Sequence, residues 1–327
     1  MHRLRHLSFL DRLLLIFLSY MAVRALMAPD GPHATVARVV QGTALGAAVA
    51  LIAVVRGRQR GGLLWRVGIL VLLLVPYLFQ RDLLFALGVP PFDEALAALD
   101  RRLLGEVPAV ALAGHVPAGA VEALAIAYAL YYPLLAFSAF PPVLGGSGSV
   151  ARRVLAGLAV ILCVGQVGYT LVPGYGPYRA LHFSAPLVGG PWLAGVQGFV
   201  AEAGPLLDIF PSLHTALPCF FAWIAWRHRA AGRASGLWLG PLWPLLALLA
   251  LAIVAATQVL RWHYAVDVVA GAGLAVLAAL AGPVVDRWET QRMVRGGMPD
   301  LPPLAPRWRA PVCRKRGPKN EPDFTNS

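Results

Sequence analysis

Residues 151–179 read ARRVLAGLAVILCVGQVGYTLVPGYGPYR, and this stretch sets the class of fold. Arg152 and Arg153 open it, and Val154 to Val172 hold no charged side chain. That run matches the roughly 20 apolar residues a helix needs to cross a bilayer core. Pro173, Gly174, Gly176 and Pro177 then break it, and Arg179 follows. The segment therefore reads as a span, basic at one end and rich in turn residues at the other.

Similar windows occur on both sides of it. They fall at 8–27, 35–55, 63–80, 118–140, 211–227, 239–258 and 264–282, which makes about eight spans. The first follows Arg3 and Arg5 and resembles a signal peptide in outline. No A-x-A cleavage site precedes Asp30, so it is read as a retained span. Composition agrees. The 327 residues are 58% hydrophobic and 13% charged, against about 25% charged for a soluble domain. Such a chain lacks the polar surface for water and the charge density for disorder. The expected fold class is an all-α, polytopic membrane helix bundle.

The net charge of +12 first points to nucleic acid. Its placement points elsewhere. Arg56, Arg58, Arg60 and Arg66 crowd the connection between the second and third spans. Arg152 and Arg153 precede the fifth span, and Arg227, Arg229 and Arg233 follow the sixth. The tail beyond Pro283 is basic as well. If the chain alternates across the membrane, all of these fall on one side together with the N-terminus. The positive-inside rule makes that side cytoplasmic. The bilayer is the expected partner, not nucleic acid. The expected location is a bacterial inner membrane, with both termini cytoplasmic. Cys163, Cys219 and Cys313 lie far apart, with no CxxC; the first two read as buried thiols.

Three regions follow: N-terminal spans and an outer helix over 1–117, a membrane core over 118–282, and a disordered basic cytoplasmic tail over 283–327. Within 81–117, Phe92, Leu96, Leu99 and Leu103 recur at helical spacing, with Asp93, Glu94, Asp100 and Arg101 between them. That pattern fits a helix lying in the interface or one packed over the bundle. The other outward connection, 173–210, is rich in Gly and Pro. Its length points to function.

Ionisable residues at membrane depth are costly and mark functional sites. Phe210-Pro211-Ser212-Leu213-His214-Thr215 begins the sixth span, with His214 about one turn inside. Arg261-Trp262-His263-Tyr264-Ala265-Val266-Asp267 begins the eighth. His263 and Asp267 are four apart and share a helix face, the arrangement by which a carboxylate orients a nucleophilic imidazole. Pro173 to Arg179 offers glycines for close backbone approach and an arginine fork for phosphate. Each motif alone has a plain alternative: a core histidine, a helix-surface ion pair, a tight turn. The topology, fixed by arginines outside these motifs, nevertheless puts all three at outward span ends. Two histidines and an aspartate suit a metal, but the added arginines favour an anion.

At these residues the chain resembles the type 2 phosphatidic acid phosphatase superfamily. Within it, the chain looks most like the branch of fungal inositol phosphorylceramide synthase and related bacterial membrane proteins. The resemblance rests on Pro211-Ser212-Leu213-His214 and on His263-Tyr264 with Asp267, and spans roughly 120–282. It implies a six-helix catalytic core and a two-step transfer without metal or cofactor. It makes His263 the nucleophile that becomes phosphohistidine, Asp267 its orienting carboxylate, and His214 the general acid. Arg179 and Arg261 would hold the phosphate, with Ser212 and Tyr178 as further candidates. The sequence departs from the broad superfamily at Val172, where a Lys is usual, at Leu213, where a Gly is usual, and at Ala256-Thr257, where Ser-Arg is usual. The inositol phosphorylceramide branch departs at such places too. Arg261 is the candidate replacement for the missing arginine. The implied activity is a lipid-phosphate phosphatase or phosphotransferase, inositolphosphotransferase-like, with water or a hydroxyl as acceptor. A transporter or flippase of an anionic lipid is the alternative.

Overall fold

The computed structural model describes residues 7–58, 62–145, 148–203, 206–230 and 239–296. Its regular elements are all helical. They are α1 (Phe9–Met27), α2 (Pro32–Arg58), α3 (Gly62–Leu78), α4 (Gln80–Leu87), α5 (Asp93–Leu104), α6 (Pro108–Ala111) and α7 (Ala118–Ala129). Next come α8 (Tyr131–Gly145), α9 (Gly148–Leu171), α10 (Pro177–Ala180), α11 (Pro191–Ala203) and α12 (Leu213–Arg227). A 3-10 turn at Gly240–Leu242 leads into α13 (Trp243–Val259), and α14 (Ala265–Gly296) is last.

The stretch quoted at the outset forms α9, the central helix. It packs against α1, α3, α4, α8, α12 and α14. A helix apolar all round is buried on every side, and Val154, Leu155, Ile161 and Tyr169 are. Its one amide, Gln166, donates to the Leu73 carbonyl at 3.0 Å, and Gln80 donates to the Gln166 carbonyl at 3.3 Å.

Five helical stretches are long and apolar enough to cross a bilayer: Pro32–Val55, Ala118–Pro141, Gly148–Leu171, Gly240–Val259 and Ala265–Arg295. The pair α3–α4, bent by 46°, makes a sixth if it forms one span. The expected spans at 8–27 and 211–227 are helical but do not meet that test. α1 carries Asp11, Arg12 and Arg24. Asp11 accepts from Trp65 Nε1 at 2.8 Å, and Arg24 Nη2 donates to the Thr170 carbonyl at 3.0 Å. α12 has 15 residues, about 22 Å of rise, short of a hydrocarbon core of about 30 Å.

One expectation is corrected and one open alternative is resolved. The tail does not begin at 283: α14 continues to Gly296. Asp286 anchors the extension, accepting from Ser149 Oγ at 2.5 Å and from Arg152 Nε and Arg153 Nε at 2.9 Å each. Residues 297–327, and Cys313 with them, lie outside the described residues. In α5, the apolar stripe is not the buried face. Asp93, Leu96, Ala97 and Asp100 are buried, while Phe92, Leu99 and Leu103 are exposed. Lipid is as apolar as leucine, so such a stripe gains little by turning inward. The carboxylates gain backbone donors, and they decide how the helix rolls.

Candidate active site

The site begins where α12 and α14 start side by side. Ser212 caps α12, its Oγ accepting from Thr215 N at 3.2 Å. Ser212 N donates to the Asp267 carbonyl at 3.1 Å, which joins the two histidine motifs directly. Gly271 permits this approach, since a Cβ there would lie 2.3 Å from the Ser212 carbonyl oxygen. The ring centroids of His214 and His263 are consequently 5.8 Å apart. His263 Nδ1 is 3.3 Å from Asp267 Oδ2, and both residues are buried. Tyr264 N donates to the same oxygen at 3.0 Å. This orientation leaves Nε2 of His263 as the free ring nitrogen. The His214 ring lies against Tyr128 and Tyr131, with centroids 4.8 and 4.2 Å away.

A turn at the end of α13 delivers His263. Arg261 N donates to the Gln258 carbonyl at 3.1 Å and Trp262 N to the Thr257 carbonyl at 2.9 Å. Arg261 has φ +70°. These are the bonds and the left-handed residue of a Schellman cap, a position usually given to glycine. An arginine there is strained by about 1 kcal/mol, so its side chain rather than its backbone accounts for the choice. His263 N also donates to Thr257 O at 3.1 Å, and Gln258 Nε2 donates to the His263 carbonyl at 3.2 Å.

α5 fastens this turn to the Gly/Pro loop. Asp93 accepts from Tyr175 N at 2.9 Å, Gly176 N at 2.8 Å and Tyr264 Oη at 3.0 Å. Asp100 accepts from Ala265 N at 2.8 Å and Val266 N at 3.0 Å. These are first-turn donors of α14 that have no partner within their own helix. Asp100 thus caps the helix from outside and sets a negative charge at its N-terminus. Burial raises the pKa of Asp100, against the two N–H bonds that favour its ionised form. Gly176, at φ +92°, lies so close to the turn that a Cβ would meet the Trp262 carbonyl at 2.3 Å. Tyr178 N donates to the Arg261 carbonyl at 2.8 Å.

Two neighbouring cavities result. The first, about 350 Å³, is lined by His214, His263, Asp208 and a wall of aromatic side chains including Tyr128, Tyr178 and Trp262. The second, about 500 Å³, holds Arg179 and Arg261 with Gln197, and shares Tyr178 and Trp262 with the first. The structure therefore brings His214, His263 and Asp267 together, and places the two arginines in the adjoining chamber. Arg261 Nη2 donates to the Ala185 carbonyl at 2.8 Å, and its guanidinium lies 3.8 Å from the centre of the Phe183 ring. Arg179 stacks on Tyr175 at 4.8 Å. Ser212 lines neither cavity; its hydroxyl is used in the cap.

Sequence reasoning missed Asp93, Asp100 and Asp208 as parts of the site. Asp93 and Asp100 are seven apart, two helical turns on one face, and that spacing was a usable signal. Asp208 stands in a loop with no periodicity to mark it. Burial raises its pKa, partly offset by attraction to His263.

Neither the curated proteins nor the solved structures contain a match for the chain. The family model of the PAP2 superfamily matches residues 94–281, from the first turn of α5 into α14, and covers all three motifs. With more than half of its length inside that match, the chain belongs to the PAP2 superfamily, an all-α membrane family of phosphatase-type enzymes of lipid phosphates.

Proposed function

We propose that the protein transfers the phosphoryl group, or a phospho-headgroup, of a membrane lipid through a phosphohistidine on His263. The observation that carries this reading is the pairing of His263 Nδ1 with Asp267 while His214 stands 5.8 Å across the cavity. In the first step His263 Nε2 attacks phosphorus, the P–N bond forms and the P–O ester bond breaks. His214 gives its proton to the departing alkoxide. Asp267 holds the imidazole and offsets its positive charge. In the second step His214 takes the proton of an acceptor hydroxyl, whose oxygen attacks phosphorus and displaces His263. Arg179 and Arg261, with Tyr178 between the chambers, neutralise phosphate oxygens as charge spreads in the transition state. Ser212 acts through its cap, which sets the position of His214.

The acceptor is an alcohol in the inositolphosphotransferase-like form of this reading and water in the phosphatase form. The tyrosine hydroxyls and Asp208 around the cavity favour a hydroxyl-bearing acceptor. The working unit is 118–282 together with α5, facing outward from a bacterial inner membrane with cytoplasmic termini. No metal or cofactor takes part.

The test is incubation of purified protein with labelled lipid phosphates. Free phosphate identifies a phosphatase, and a new phospholipid identifies a transferase. His263→Ala should abolish turnover and any acid-labile phosphoenzyme, whereas EDTA should leave both intact. Full activity in His263→Ala protein rejects the mechanism. Lipid movement across vesicles without phosphate release would point to a transporter or flippase instead.

A further inference from the structure

A cavity of about 340 Å³ lies between α9, α12 and α14, away from the histidines. Arg153, Arg227, His228 and Arg287 line it, with Phe220 and Trp223 as apolar walls. The rise of α12 from His214 to Arg227 separates the two sites by about 20 Å. The helices converge closely here: a Cβ on Gly282 of α14 would come within 2.8 Å of the Arg153 carbonyl oxygen of α9.

The charge at this cavity is not balanced. Asp286 pairs with Arg152 and Arg153. Arg227 and Arg287 have no carboxylate partner among the described residues; Arg287 Nε donates only to the Pro283 carbonyl, at 3.3 Å. His228 has its pKa lowered by burial and by the charges of Arg153 and Arg227. Topology calls for arginines in the connections on one side of a membrane. It does not call for three of them around one cavity with an aromatic wall.

We propose that this cavity binds the phosphate group of an anionic phospholipid from the leaflet on that side, as a site separate from the catalytic one. Guanidinium forks match phosphate oxygens in geometry and charge. The half-buried Trp223 offers apolar surface to the glycerol and upper chain, backed by Phe220. Basic pockets between membrane helices hold anionic headgroups by this combination. A lipid seated here links α9 to the far ends of α12 and α14, whose other ends carry His214 and Asp267. The proposal does not depend on the reaction described above.

The test uses the full-length protein in detergent, in a His263→Ala background that stops turnover. Native mass spectrometry follows added phosphatidylglycerol, phosphatidylcholine or inorganic phosphate. Phosphatidylglycerol should bind about tenfold or more tightly than phosphatidylcholine, and Arg227→Gln/Arg287→Gln should lose about tenfold in that affinity. Arg227→Lys/Arg287→Lys should regain most of it, which separates lost charge from lost folding. Unchanged phosphatidylglycerol affinity in the Gln variant overturns the proposal. Binding of inorganic phosphate as tight as phosphatidylglycerol overturns the lipid as its source.

Discussion

α14 is held by carboxylates at both ends, in opposite ways. At its start, Asp100 and, through Tyr264, Asp93 accept mostly from backbone N–H groups, and no arginine among the described residues is spent on them. Near its other end, Asp286 is paired with Arg152 and Arg153. The first arrangement fixes position while leaving Arg179 and Arg261 without a carboxylate partner among the described residues, as the proposed binding of an anionic substrate requires. The second uses cations as the fastener. One end is built for geometry and the other for cohesion, and five changes test that distinction and the site it serves.

The largest effect is expected at the start of α14. Asp267→Asn keeps the shape of the His263 contact but removes the charge behind the imidazole. It should lower kcat by about 10²- to 10⁴-fold, measured as product release under saturating lipid. Next, Asp100→Ala should cost about 1–2 kcal/mol of stability and also lower kcat, because α14 carries the nucleophile's partner. Asp286→Asn should cost a similar 1–3 kcal/mol and leave kcat near wild type at temperatures where both proteins are folded. Equal kcat losses in the two variants would erase the distinction between the ends.

Arg261→Gly separates backbone from side chain. The Schellman turn should persist and the protein gain about 1 kcal/mol, while KM for the lipid phosphate rises. A rise in stability without any kinetic change would remove Arg261 from substrate binding. The smallest effect concerns Asp208. Its raised pKa means that it takes up a proton at a higher pH than an ordinary carboxylate, near 4. If it must be ionised to accept from a hydroxyl, kcat falls as pH drops through that raised value and is complete above it. Asp208→Asn should flatten this acidic limb without shifting the alkaline one.

The spans and the two histidine motifs were legible because both signals are local. An apolar run such as Val154 to Val172 declares itself, and His263 and Asp267 meet one helical turn apart. The sequence left α5 open between the interface and the bundle for a physical reason. An amphipathic pattern does not say which face turns inward, and here Asp93 and Asp100 turn inward to reach Tyr175, Gly176, Ala265 and Val266. The length of α14 was hidden because Pro283 reads as a stop, while the Asp286 contacts that carry the helix past it come from α9. The division between the two cavities was beyond the sequence, since Tyr178 and Trp262 are brought together only by the turn at Arg261.

The brevity of α12 has a consequence for how substrate arrives. If Arg227 marks one boundary of a hydrocarbon core about 30 Å thick and α12 runs along the bilayer normal, a rise of about 20 Å would leave His214 roughly 10 Å below the opposite headgroup plane. The irregular backbone of 206–212 would be tolerated at such depth because Leu206, Asp208 and Ile209 line a cavity. If the proposed reaction runs at His263, a lipid phosphate would have to sink out of its own leaflet's surface to react, drawing water down with it. The catalytic step would begin with a local dimple in the bilayer, and thinner membranes should ease entry.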